Sequence, residues 1–147
     1  MAKQIRRVIL EQAKRAHVGH IGSTLSVADI IAALYGGALR ATDPKDPERD
    51  RFVLGKGHAM LAVHAALFLK GWLSQEQLNT YCGDGSLLGV HPEYGLRGVD
   101  FASGSLGQGL ERQHLVGVTE RLLAVEVHDG NQVRQLMVRG EHHRFPN

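Results

Sequence analysis

The sequence predicts a helix-rich α/β fold with a short parallel sheet. Phe52, Val53 and Leu54 form a brief apolar run with charge before it and glycine after it, as is typical of an interior strand. Residues 59–69 are almost wholly apolar, which favours a core helix. From Gln4 to His17, apolar residues recur at helical spacing between charged ones, which predicts an amphipathic helix.

Composition indicates one globular unit and excludes several classes of protein. The chain has 147 residues, 43% of them hydrophobic and 22% charged, and a formal net charge of +2 gives no strong attraction to nucleic acid or membrane. Its longest apolar stretch is too short to span a bilayer. The single cysteine, Cys82, excludes an internal disulfide, and the first residues lack an apolar signal core. We therefore expect a cytoplasmic protein.

The first helix gives way to a loop, residues 17–23, in which Gly19 and Gly22 flank His20. Such a loop suits close approach to a ligand, although a simple corner between two helices explains it equally well. Ser26, with Asp29 three residues later, resembles a capping box and predicts a second helix that runs to about Tyr35.

The central strand is followed by a glycine turn that carries His58. Gly55 and Gly57 allow a sharp turn, and His58 then stands where a helix begins, so that unpaired N–H groups and the helix dipole favour an anion. This unit is either a turn that faces a phosphate or an ordinary strand-to-helix turn with a histidine at the helix start.

Two further segments follow the central helix. Ser74 and Gln77 predict a capping box that starts a short helix reaching about Tyr81. Residues 83–93 are irregular and rich in glycine, and within them His91 precedes a proline, which favours an extended backbone. Such a loop can present the His91 side chain to a cleft.

The last part of the chain contains a second glycine-rich turn at residues 104–110. A helical pattern is predicted after it, carried by Leu115, Val118, Leu122 and Val125. Residues 129–131 predict a turn, and residues 133–138 a strand.

Several familiar chemistries are excluded by spacing. The glycines match neither the dinucleotide fingerprint nor the Walker motif. Apart from the adjacent pair His142 and His143, which near a terminus is more often solvated than metal-bound, the histidines are scattered singly. Cys82 has no partner nearby for a zinc site, and no nucleophile elbow is present. Glycine turns that bear histidines remain, and these suit a phosphorylated or polyhydroxylated ligand.

Four motifs in order carry a family resemblance. They are residues 19–22 (GHIG), 50–58 (DRFVLGKGH), 89–93 (GVHPE) and 104–109 (GSLGQG). Together they resemble the amino-terminal, thiamine diphosphate-binding domain of transketolases, and most closely the short subunits of split transketolases. The resemblance implies a partial thiamine diphosphate-binding fold in residues 1–110, followed by a diverged or truncated tail in residues 111–147 with a possible helix and strand.

The resemblance also implies roles for individual residues. His58 would lie near the diphosphate of the cofactor, and His20 and His91 would line the substrate channel and assist proton movements. Gly104, Ser105 and Leu106 would lie against the aminopyrimidine of the cofactor. The family's reaction moves a two-carbon ketol unit between sugar phosphates, and the hard carbon chemistry belongs to the cofactor.

The tail departs from the family pattern. Transketolases hold a divalent metal, usually magnesium, through the aspartate of a Gly-Asp-Gly motif that follows a strand. If residues 133–141 take the place of that strand, Arg139 replaces the aspartate, and a guanidinium repels a cation and offers it no oxygen ligand. We therefore assign no metal ligand and expect no ketol transfer by this chain alone.

The resemblance further implies a sugar phosphate substrate and either a homodimer or pairing with a carboxyl-terminal transketolase subunit. An alternative is a non-catalytic interaction module that pairs with transketolase subunits. A third possibility is a phosphate binder that uses only the turns at His58 and Gly104.

Overall fold

We describe the protein from a computed structural model. The structure describes residues 1–46 and 49–102 with their side chains, and the backbone of the strands at 122–128, 132–138 and 141–143. The predictions for Arg139 and for residues 104–110 fall outside the described residues.

Helices dominate the first part of the chain. The α-helices are α1 (Ala2–Ala16), α2 (Ile21–Ser26), α3 (Ala28–Ala33), α4 (Met60–Leu69) and α5 (Gln75–Leu78). A π-helical turn, Leu34–Ala38, extends α3, and a 3₁₀ turn, Gly57–Ala59, leads into α4. The strands are β1 (Arg51–Leu54), β2 (Leu122–His128), β3 (Gln132–Val138) and β4 (Glu141–His143).

Helix α4 forms the centre of the core. Its residues from Met60 to Leu67 are buried on every side, which agrees with their nearly uniform apolar character. Helices α1, α2, α3 and α5 all contact it. Helix α1 buries Ile5, Val8, Ile9 and Ala13, the apolar face expected from the sequence, so the amphipathic helix is confirmed.

The sheet has the order β1-β2-β3-β4. Strands β1 and β2 are parallel, and Leu54 is the register partner of Val125. Strands β3 and β4 then add to the sheet in antiparallel fashion. The fold is thus helix-rich α/β, as predicted, with one parallel pair of strands at the edge that carries β1.

The second helix does not begin as predicted. Ser26 lies in the last turn of α2, and its hydroxyl donates to the Ser23 carbonyl oxygen at 2.7 Å instead of capping α3. Asp29 accepts from the Arg6 guanidinium, with one contact of 3.0 Å, and is therefore engaged elsewhere. The capping-box prediction is wrong at this position because tertiary contacts and a preceding helical turn take both side chains.

The predicted pattern in the tail is also partly wrong. Leu122 and Val125 lie on strand β2, whereas the sequence pattern assigned them to a helix. The strand expected near residue 133 is present as β3, but it is antiparallel to β2, and the parallel neighbour of β1 is β2. The strand pairing therefore gives no support for placing Arg139 at the position of the family's aspartate.

Candidate functional site

Three histidines from three separate sequence motifs meet in the structure. The ring centroids of His20 and His58 are 4.6 Å apart, and those of His58 and His91 are also 4.6 Å apart. We call these three residues the histidine cluster. His58 occupies its middle position and is half-buried, as is His91, while His20 is exposed.

His58 is positioned by the turn between β1 and α4. Strand β1 is buried from Phe52 to Leu54, and the chain then turns through Gly55 into the 3₁₀ turn that holds His58. Within the described residues, no side chain caps the start of α4. The first turn of a helix leaves N–H groups without intrahelical partners, so this end of α4 favours an anion.

The opposite side of the histidine cluster is formed by the segment between α1 and α2. Helix α1 ends at His17 in a left-handed conformation, with φ of 52°, and His20 adopts a second one, with φ of 61°. The sequence prediction of a tight ligand-facing loop covered residues 17–23, but helix α2 already begins at Ile21. The non-helical stretch is consequently short, and it points the His20 ring at His58.

Electrostatics favour the neutral form of His58. Burial lowers its pKa first, and the neighbouring His91 and His20 rings lower it further. Each neighbouring imidazole opposes a second positive charge when it is itself protonated. At neutral pH the central ring is thus a neutral group with one N–H donor and one acceptor nitrogen.

Two side chains that the sequence analysis did not name as site residues connect the segments that carry His20 and His58. The Thr24 hydroxyl donates to the His20 carbonyl oxygen at 3.0 Å and lies 3.5 Å from the His58 carbonyl oxygen. The Lys56 ammonium donates to the Ser26 hydroxyl at 3.3 Å. Lys56 lies in the motif at residues 50–58 and Thr24 in none of the four motifs, but only the tertiary structure shows that both connect the segments that carry His20 and His58.

The roles predicted for the three histidines stay predictions, and the other predicted site residues are not described by the structure. Gly104, Ser105 and Leu106 lie outside the described residues. Within the described part of the chain, no group of three or more His, Cys, Asp or Glu side chains could hold a metal ion. In the same residues, no helix is long and apolar enough to cross a membrane.

The fold and the site are those of an α/β domain in which three histidines meet beside the turn from a buried strand into a core helix. The family described as "Transketolase, thiamine diphosphate binding domain" matches residues 1–137. The chain belongs to this family, as the four motifs indicated.

Individual relatives agree with this assignment. The chain is 44% identical over 112 residues to the 6-deoxy-6-sulfo-D-fructose transketolase subunit SqwG of Clostridium sp. (strain MSTE9), and the match covers 74% of this chain and 40% of that protein. It is 38% identical to an apulose-4-phosphate transketolase subunit of Phocaeicola vulgatus, over 71% of this chain and 38% of the relative.

Solved structures show the same relationship. The transketolase of Campylobacter jejuni superposes with a TM-score of 0.68 at 36% identity, over 74% of this chain and 18% of that one. The transketolase of Leishmania mexicana gives a TM-score of 0.69 at 32% identity, over 74% of this chain and 17% of that one. This chain therefore spans less than half of the relatives it matches.

Proposed function

We propose that this chain forms the diphosphate-binding part of a transketolase-type transferase, which moves a two-carbon ketol unit between sugar phosphates. The observation that carries the proposal is the histidine cluster, in which three separate motifs contribute imidazoles in direct contact. Thiamine diphosphate, when bound, supplies the carbon nucleophile of such a reaction.

The donor set suits a pyrophosphate. His58 lies beside the uncapped start of α4, and its lowered pKa keeps the imidazole neutral at pH 7. A neutral N–H donates to a phosphate oxygen without the desolvation cost of burying a second charge. We assign His58 to the cofactor diphosphate, and Gly104, Ser105 and Leu106 to its aminopyrimidine ring.

His20 and His91 flank His58 and remain accessible from solvent, one exposed and the other half-buried. An imidazole accepts a proton at one ring nitrogen and returns it from the same position when it lies within hydrogen-bond reach of a substrate hydroxyl. We assign these two residues to proton movements on the sugar substrate. The sulfo-sugar and sugar phosphate in the names of two relatives favour an anionic, polyhydroxylated substrate here as well.

A magnesium site is not part of this proposal. The described residues do not fit a magnesium site, because they contain no suitable cluster of ligands. No step of the reaction is therefore assigned to a metal ion. Titration of the whole chain with thiamine diphosphate, in the presence and absence of magnesium, measures directly whether the chain provides a magnesium site.

Pairing with a second polypeptide completes the proposal. Two relatives are named as transketolase subunits, and this chain matches only part of each. We expect the chain to act as a homodimer or together with a carboxyl-terminal transketolase subunit, and to show no ketol transfer by itself. A cytoplasmic location is part of this proposal and rests on the single cysteine.

Calorimetric titration of the full chain with thiamine diphosphate tests the central claim. We expect binding that His58→Ala weakens by about tenfold, since one hydrogen bond to an anion contributes roughly 1.5 kcal/mol or more. His17→Asn is the matched control, because His17 is an exposed histidine with a left-handed backbone that asparagine tolerates. Equal affinities of the wild type and His58→Ala would contradict the assignment.

The same preparation distinguishes the alternative function. If the chain binds no thiamine diphosphate in any condition but co-purifies with a carboxyl-terminal transketolase subunit, it is a non-catalytic interaction module. Turnover of a ketose phosphate by the isolated chain would show that the expectation of inactivity is wrong.

A further inference from the structure

The histidine cluster is assembled from segments that are far apart in the sequence, so other contacts must fix the distance between them in space. His20 is the residue before α2, whereas His58 lies in the 3₁₀ turn before α4. The two rings approach to 4.6 Å at an angle of 44°. Contact between two partly solvated rings is weak, so the backbones that carry them must be held by other groups.

Thr24 is placed to do this. Its side chain is 2% exposed, and its hydroxyl oxygen lies 3.0 Å from the His20 carbonyl oxygen and 3.5 Å from the His58 carbonyl oxygen. A threonine within a helix commonly donates to the carbonyl four residues earlier, which accounts for the shorter contact. The second contact reaches a different segment of the chain, and an ordinary helical threonine does not require it.

We propose that Thr24 is a positioning residue that sets the distance between His20 and His58 by bridging their backbone carbonyl groups. The single hydroxyl proton is shared between the two acceptors: it makes the shorter hydrogen bond to the His20 carbonyl and a longer, weaker one to the His58 carbonyl, so both carbonyls lie against one buried point. The functional meaning of this bridge rests on the proposed function of the cluster, but its geometry does not.

A second bridge between the same two segments serves as an internal comparison. Lys56 donates to Ser26 at 3.3 Å, and Ser26 is exposed. Exposed contacts of this kind contribute little because water competes for both groups. Removal of this bridge should leave the histidine cluster unchanged.

The test is the nuclear Overhauser effect between histidine ring protons in the full chain without added ligand. The wild type should show effects for the His20–His58 and the His58–His91 pairs, since the ring centroids in each pair are 4.6 Å apart. Thr24→Val keeps the shape of the side chain but removes the hydroxyl, and we expect it to abolish only the His20–His58 effect. Thr24→Ser should retain both effects, as should Ser26→Ala.

These outcomes distinguish a positioning role of Thr24 from a general loss of folding stability. The His58–His91 effect reports that the fold is intact, and if Thr24→Val fails to fold, Thr24→Ala is judged by the same criterion. An undiminished His20–His58 effect in a folded variant without the hydroxyl overturns the proposal, as does its absence from the wild type. Because no cofactor is present, failure to bind thiamine diphosphate would refute the proposed function and leave this result in place.

Discussion

The rings of His58 and His91 meet edge to face, with centroids 4.6 Å apart and planes inclined by 69°. His91 lies within the glycine-rich segment 83–93 and His58 precedes the core helix, so their contact depends on the tertiary fold. A charge on one ring opposes a charge on the other, which is one of the reasons that the pKa of His58 is lowered.

Replacing His91 should therefore raise the pKa of His58. In His91→Gln the pKa should move towards the ordinary histidine value but stay below it, because burial is the largest cause of the shift and remains. The measurement is an NMR pH titration of the His58 ring proton. His17→Asn, which removes an exposed histidine outside the cluster, should leave that titration unchanged. An unaltered His58 pKa in His91→Gln would show that the two rings are not in contact.

The buried His64 should make the protein sensitive to acid. Its side chain is fully buried, neither ring nitrogen has a hydrogen-bond partner among the described residues, and burial lowers its pKa to about 3. An unfolded histidine titrates near pH ~6.5, so between these values the folded state binds fewer protons. Protonation of His64 therefore costs no stability above about pH 6.5. As the pH decreases below that value, the free energy of unfolding falls, by about 2 kcal/mol at pH 5.

His64→Leu tests this account. The substitution removes two unsatisfied polar atoms at similar volume but also the edge contact with Tyr81, so we expect a gain of about 1 kcal/mol at pH 7. At pH 5 the gain should be larger by about 2 kcal/mol, because the variant has no buried group to protonate. Urea unfolding at the two pH values measures both. A variant whose gain is equal at pH 7 and pH 5 would refute the explanation.

The Asp100 carboxylate should be essential for stability. It accepts from the Arg49 guanidinium through both oxygens, with one contact of 2.8 Å, and from Arg51 at 3.0 Å through one of them. The Arg49 side chain is only 5% exposed. Asp100→Asn leaves a buried guanidinium without its counter-charge, which should cost about 3–5 kcal/mol. Chemical denaturation measures the change.

The matched control is Asp29→Asn. Asp29 also pairs with an arginine through both oxygens, but the two side chains are 72% and 40% exposed. Water replaces most of that interaction, so we expect little change in stability. Similar losses in the two variants would mean that burial does not set the energy of these pairs.

Gly98 should not tolerate a side chain. Its φ is +88°, and a Cβ atom there would lie 2.7 Å from Trp72 Cε3. Gly98→Ala should therefore cost about 2 kcal/mol more than Gly85→Ala, where φ is +71° but nothing lies within 4 Å. Both variants carry the cost of a positive φ, so the difference in their unfolding free energies isolates the clash with Trp72. Equal losses would contradict the packing at Gly98.

The sequence predicted elements that depend on local interactions. The capping box at Ser74 and Gln77 is present, with the Gln77 backbone amide donating to the Ser74 hydroxyl at 3.1 Å. The same pattern at Ser26 and Asp29 failed, because Asp29 is held by Arg6 from another helix. Both patterns have the same spacing, and among the described residues a long-range partner competes only at the second.

For the candidate site, the sequence singled out the three histidines but not their arrangement, and the roles assigned to them stay predictions. His20, His58 and His91 were chosen from their glycine-containing motifs, and the structure brings them together. Their order, with His58 in the middle, and the hydroxyl of Thr24 behind them arise from the packing of α2 against the turn before α4. No periodicity or spacing encodes such a contact, because α3, the π-helical turn, a loop and strand β1 lie between its two sides in the sequence.

The parallel pairing of β1 with β2 has a kinetic consequence. Leu54 and Val125 are register partners separated by about 70 residues, so this ladder closes a long loop and should be among the last contacts to form. The residues of the histidine cluster all come from the polypeptide that precedes β2. During synthesis, the three imidazoles can therefore assemble beside the core helix while strand β2 has still to leave the ribosome.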